Sequence, residues 1–149
     1  MTGTPSPLSS IPEVPAAAAP HRERIHRPWG WYETLASADT ASADGSGSGY
    51  LVKRLWIHPN SRISLQRHRH RCEHWVVVAG SGELFCLDQN QPARPGTCLE
   101  IPLGAMHRAS AGPEGLLIIE VQRGESLRED DIERFADDYG RVIRSVDNL

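Results

Sequence analysis

No stretch of this chain approaches the ~20 consecutive apolar residues that a membrane-spanning helix needs. No apolar segment follows the initial methionine in the manner of a secretory signal either. A cytoplasmic protein with no membrane partner is therefore expected. Cysteine is scarce. Cys72, Cys86 and Cys98 form an odd set at spacings that match no disulfide framework, and they read as reduced thiols. A basic surplus is missing as well. Lys and Arg number 16 against 19 Asp and Glu, a formal net charge of −3, and no basic stripe is present, so nucleic acid is not an expected partner. No internal repeat is visible.

What is present suits one soluble domain. The 149 residues are 39% hydrophobic and 23% charged, enough for a single core. Residues 1–24, rich in Pro, Ala and Ser, read as a disordered leader. Residues 25–145 are expected to form the domain. Arg27 to Leu35 opens it as a short strand, and the small, Gly-rich residues 36–49 form a flexible loop. Short strands follow in YLVKRLWI, ISLQRHRH, HWVVVAG, ELFCLD, TCLEIP, MHRAS and GLLIIEVQ, separated by turns at Ser81-Gly82 and in QNQPARPG. Such a series without intervening helices predicts an all-β sandwich or barrel. The period then changes. Ile132, Phe135, Ala136 and Tyr139 recur at helical spacing, Ser126 and Glu129 match a capping box, and acidic residues fill the first turn. One C-terminal α-helix over 127–139 is predicted, stopped by Gly140.

The chemistry concentrates between Gln66 and His74, QRHRHRCEH. Strand side chains alternate, so Gln66, His68 and His70 are expected to share a face, with Glu73 just beyond. Nitrogen and oxygen donors so placed can hold a divalent metal. Cys72 is either a further ligand or a free thiol. A second segment, GTCLEIPLGAMH, ends a strand, turns, and delivers His107.

Together the two segments resemble the cupin family. Its first motif, G-x5-H-x-H-x4-E-x6-G, falls on Asn60, Gln66, His68, Glu73 and Gly80. The second, G-x5-P-x-G-x2-H-x3-N, falls on Gly96, Pro102, Gly104, His107 and Ala111. Asn60 and Ala111 depart from the pattern, and Gln66 stands where the first ligand His is usual. The resemblance implies a double-stranded β-helix (jelly-roll barrel). RPWGWY, LVKRLWIHP, IPLGAMHR, IIEVQRG and EDDIERFADDYGR extend it to the cupin domain of type II mannose-6-phosphate isomerases. In that family the domain commonly follows a sugar-phosphate guanylyltransferase, a half not expected within these residues.

The resemblance implies a metal shell of Gln66, His68, Glu73 and His107, with Zn²⁺ as the favoured metal. A neutral Gln ligand leaves a cation electrophilic, which suits Lewis-acid work over redox cycling. His70 is a further ligand, a base, or a solvated strand-end residue; His74 is expected to point away. Glu120 and Gln122 alternate with Ile119 and Val121, so they either line the interior, where Glu120 can shuttle protons, or form an outward solvated pair. Lys53, Arg71, Arg108 and Arg141 are candidates for holding a phosphate, Gln122 is a further candidate for binding substrate, and Lys53 also stands with His70 and Glu120 among the catalytic candidates. The four tryptophans are read as core or rim packing.

These roles imply isomerisation of mannose 6-phosphate to fructose 6-phosphate through a metal-stabilised enediolate, with His70 or Glu120 as base. Three other readings use the same residues: a zinc cupin in specialised metabolism forming N–N bonds with a synthetase-like partner, a non-catalytic sugar-binding cupin, and an iron dioxygenase. A homodimer through sheet edges is expected.

Overall fold

A computed structural model describes residues 22–38 and 49–142. The expected leader lies outside the described residues except for its last three. There Arg22 Nη1 donates to the Leu35 carbonyl at 2.6 Å and Arg24 Nε to Glu33 at 2.8 Å. Most of the Gly-rich loop is likewise outside them.

The strands are β1 (Ile25–Arg27), β2 (Gly30–Ala38), β3 (Gly49–Ile57), β4 (Leu65–Arg67), β5 (Arg71–Cys86), β6 (Gln89–Ala93), β7 (Cys98–Ile101), β8 (His107–Gly124) and β9 (Glu133–Ala136). All pairings are antiparallel. The order runs β1-β2-β3-β8-β4-β9, with β5 joined to β6, β7 and β8. The expected all-β curled sheet is what forms.

β5 and β8 are each longer than the sequence suggests. Ser81-Gly82 does not end a strand. It lies within β5 at register shifts against β8 between Val77 and Ala79 and between Gly80 and Gly82. Gly80 has φ 87°, and a Cβ there would stand 2.0 Å from the Gly115 carbonyl oxygen. A bulge at this glycine bends the strand without interrupting its ladder. The real turn comes later. Leu87 and Asp88 both adopt positive φ between paired Cys86 and Gln89, closing a two-residue hairpin into β6. Asn60, where the motif has glycine, takes φ 57°. Asparagine tolerates this left-handed region better than most residues, so the departure keeps the turn.

The predicted C-terminal helix is absent. Its residues form an irregular run and then β9, which pairs with β4 at Gln66↔Arg134 and Arg67↔Glu133. Isolated helices of this length are marginal, and tertiary pairing overrides local propensity. β4 needs a partner for its outer edge. The polar residues that would have capped the helix are used elsewhere: Glu129 pairs with Lys53, and the Asp131 carboxylate accepts the backbone N–H groups of Arg69 and His70 at 3.0 Å each.

The core is apolar at one end of the barrel and polar at the other. Ile57, Trp75, Val77, Leu84, Ile101, Leu116 and Ile118 are fully buried. Along the same inward faces lie Lys53, Glu73, Glu120 and Gln122, also buried. Trp29 joins the core, while Trp31 and Trp56 pair across β2 and β3 and are half-buried. Among the described residues, no helix is long and apolar enough to cross a membrane.

Candidate metal centre

Three neighbouring strands supply the donors. β4 carries Gln66, which pairs across the sheet with His107 at the start of β8. β5 carries Glu73. His68 lies just past the end of β4, where the chain turns toward β5. One donor atom from each of His68, Glu73 and His107 lies within 4.8 Å of the other two, and all three side chains are buried. The His68 and His107 ring centroids are 5.0 Å apart.

The rings are oriented from behind. His68 Nδ1 lies 2.7 Å from the Asp131 carbonyl oxygen, and His107 Nδ1 lies 2.9 Å from that of Ala105. A carbonyl only accepts, so each Nδ1 carries the hydrogen, and a neutral ring then presents the Nε2 lone pair inward. This is the usual support for a metal-bound histidine. The Pro-Leu-Gly turn contributes directly. Ala105 N donates to the Pro102 carbonyl at 3.1 Å, and Gly104 N donates to the His68 carbonyl at 2.9 Å. Burial lowers the pKa of His107 and outweighs the opposing attraction of Glu73, so the neutral, ligating form is favoured.

Glu73 is the anionic member. Burial pushes its pKa up, but the surrounding His68, His107 and Arg71 side chains together hold it well below the ordinary carboxylate value. Its Oε1 is 3.0 Å from His68 Nε2 and accepts from Arg71 Nε at 3.0 Å. Its Oε2 is buried without a hydrogen-bond partner, 3.5 Å from His107 Nε2. Native structures rarely leave such an oxygen unpaired, and a cation between Oε2 and the two Nε2 atoms would satisfy it. Gln66 Nε2 lies 3.5 Å from both His68 Nε2 and His107 Nε2, while Gln66 Oε1 accepts from Ser64 Oγ at 2.8 Å. Turning this amide over would present Oε1 to a cation and leave the Ser64 hydroxyl to accept instead. The donor set fits a divalent metal.

Beside the shell is a cavity of about 130 Å³ whose walls include Lys53, Gln66, Arg71, Glu73, Glu120 and Gln122. Glu120 Oε2 accepts from Trp75 Nε1 at 2.9 Å, and its Oε1 accepts from Gln122 Nε2 at 2.6 Å. Burial, reinforced by the charge of Glu73, raises its pKa to about 7, against the opposing influence of Lys53 and Gln122. Trp75 also meets the His107 ring edge-on, with centroids 5.4 Å apart.

Other expected residues fall differently. Strand regularity ends at Arg67, so His70 does not share the face of Gln66. Its side chain is exposed and away from this cavity, its backbone held by Asp131. Arg108 donates to the Ile63 and Ala136 carbonyls and lines a separate depression. Cys72 faces Arg123 on the opposite side of β5, and His74 points outward to Glu100 at 3.8 Å. Arg71 lies against Glu73, and Arg141 on the cavity wall is paired to Asp137. Ser64, Trp75, Asp131, Arg27 and Arg134 were missed. Ser64 and Trp75 were within reach, since each sits two positions from a ligand on the same face. Asp131 had no local signal.

Comparison with known proteins agrees with this architecture. The family model described as mannose-6-phosphate isomerase C-terminal matches residues 16–137. The alginate biosynthesis protein AlgA of Pseudomonas aeruginosa is 41% identical over 119 residues, covering 79% of this chain and 23% of that protein. A mannose-1-phosphate guanylyltransferase of Escherichia coli is 42% identical over 129 residues, covering 82% and 24%. The chain thus spans about a quarter of the length of these relatives. Among solved structures, an RmlC-like cupin from Shewanella frigidimarina superposes with a TM-score of 0.58 at 18% identity, covering 74% of this chain and 88% of that one. By the residues matched and the sheet they build, this chain belongs to the mannose-6-phosphate isomerase C-terminal family and has the cupin fold.

Proposed function

We propose that this domain is a divalent-metal-dependent aldose–ketose isomerase of a sugar phosphate, converting mannose 6-phosphate to fructose 6-phosphate, with Zn²⁺ as its metal. One observation carries the reading beyond family membership: Glu120 is a buried carboxylate facing the cavity beside the candidate metal shell, with a pKa raised to about 7. Aldose–ketose isomerisation needs one group that removes a proton from C2 and returns it at C1. A group that titrates near neutrality can do both.

His68, Glu73 and His107, with Gln66 turned as described, would hold the cation, which when bound supplies Lewis acidity at the substrate carbonyl. The remaining work belongs to the chain's own residues. Trp75 and Gln122 each donate to one Glu120 oxygen, fixing the plane of the carboxylate and leaving the remaining lone pairs for the substrate proton. Arg71 fixes Glu73 from the other side, with Nη1 anchored on the Arg128 carbonyl at 3.0 Å.

The test is proton exchange. Zinc-loaded protein is incubated with mannose 6-phosphate in deuterated buffer and followed by NMR. Loss of the C2 proton signal, with fructose 6-phosphate forming, is the expected result. No exchange at any metal loading refutes the isomerase reading.

A further inference from the structure

The four cations first considered for phosphate are largely committed. Arg71 is engaged with Glu73 and the Arg128 carbonyl. Lys53 pairs with Glu129 and lies over the Tyr32 ring, 4.1 Å from its centroid. Arg108 lies outside the site cavity. Arg141 makes a two-pronged pair with Asp137, at 2.9 Å from both Nε and Nη2. Two further arginines line the same cavity, Arg27 and Arg134.

Arg134 is unusual. Its Nε is buried with no hydrogen-bond partner among the described residues. Leaving a buried donor unpaired is destabilising, and more so for a charged one. Burial and the nearby charges of Arg141 and Arg27 lower its pKa, and Asp137 opposes them. Three guanidinium groups thus share one region of the wall, and the acid bonded there, Asp137, is spent on Arg141. An arrangement that leaves like charges together and a donor unpaired is relieved by an anion with several oxygens. A phosphate dianion offers more acceptor positions than a planar carboxylate, and the guanidinium fork matches its geometry. Arg134 sits on β9 directly opposite Gln66. Side chains of such cross-strand pairs are close neighbours, so an anion at Arg134 lies next to the metal shell without occupying it.

We propose that Arg134 and Arg27, together with Arg141 braced by Asp137, form the receptor for the phosphate group of the substrate, while Glu73 and Glu120 face its reacting end. The identity of that reacting end rests on the isomerase reading; the anion receptor itself does not.

Inorganic phosphate binding to the full chain, measured by calorimetry without added metal, tests this. Wild-type protein is expected to bind phosphate at one site and in preference to acetate. Arg134→Gln should weaken binding at least tenfold, and Arg27→Gln at least threefold. Arg108→Gln, outside the cavity, should leave it unchanged. If Arg134→Gln fails to fold, judged by thermal unfolding, Arg27→Gln decides alone. Unchanged binding in the folded cavity variants, an equal loss in Arg108→Gln, or no preference over acetate overturns the receptor. The two readings fail separately. Phosphate binding without C2 proton exchange leaves the receptor standing and removes the isomerase. Exchange with an unchanged KM for mannose 6-phosphate in Arg134→Gln does the reverse.

Discussion

Strands β5 and β8 present Glu73, Trp75, His107, Glu120 and Gln122 from regular ladders, with alternate residues turned inward. The segment from Glu125 to Val142 reaches the same cavity by another route: an irregular run, one short strand, and contacts made by carbonyls and carboxylates. In the first region the pleat decides where a side chain points. In the second, the tertiary path decides, and the groups that matter include backbone oxygens with no residue identity. The strands hold the groups that would act on a metal or a proton. The C-terminal segment orients them: the Asp131 carbonyl sets the His68 ring, and the Arg128 carbonyl anchors Arg71.

This division of labour can be broken at its strongest point by Glu120→Gln. Exchange of the C2 proton should fall by about 10²–10⁴-fold while bound zinc is unchanged, read by NMR and metal analysis on the same samples. An undiminished rate would remove the strand wall from the proton transfer.

Arg71→Met probes where the two regions meet. It leaves Glu73 charged and buried without its guanidinium partner, an arrangement that typically costs about 3–5 kcal/mol. Urea unfolding of the metal-free protein should show a loss of that size. Added zinc should recover part of it, since the cation would replace the missing charge.

Asp131→Ala sharpens the comparison from the C-terminal side. The substitution frees the backbone of Arg69 and His70 and loosens the carbonyl behind His68. Loss of such outer support commonly costs about 10–100-fold in metal affinity. Competition with a chelator should show this drop with little change in unfolding midpoint. An unaltered zinc affinity would mean that the strands orient their own ligands.

The pH dependence carries a definite sign. Glu120 has its pKa raised from 4.5 to about 7 in the folded protein. The folded state therefore binds this proton more tightly than the unfolded chain. Its contribution to stability is most favourable below 4.5 and declines as pH rises toward about 7. Glu73 is shifted the other way, so its contribution is present above its unfolded value and is lost on acidification. Glu120→Gln should abolish the decline between the two Glu120 values, followed by thermal unfolding of metal-free protein. Trp75 fluorescence should report the same titration, because its indole N–H donates to that carboxylate.

The smallest effect is expected at the far end of the segment. Arg62 and Asp138 form a pair at 2.7 Å with both side chains nearly half exposed. Exposed pairs contribute at most about 1 kcal/mol, so Arg62→Ala should barely move the unfolding midpoint. A large shift would show that the segment is held mainly by its surface charges and not by β9.

The sequence alone determined the all-β class and the cupin resemblance, and that resemblance named Gln66, His68, Glu73 and His107 as a candidate shell. Strand alternation put Glu120 and Gln122 on one face without deciding whether it turned inward, which the structure did. The face that alternation gave His70 beside Gln66 does not form, because the pleat that would have turned it inward stops at Arg67, and of its three readings the solvated one matches its exposure. Local pattern failed again at the C-terminus, where a helical period lay over residues that instead complete the sheet. Only the tertiary structure decided that β9 pairs with β4, that Asp131 supports His68, and that Arg134 stands opposite Gln66. Each of these joins residues more than sixty positions apart. A local pattern records what a residue prefers, but not which distant backbone edge needs a partner.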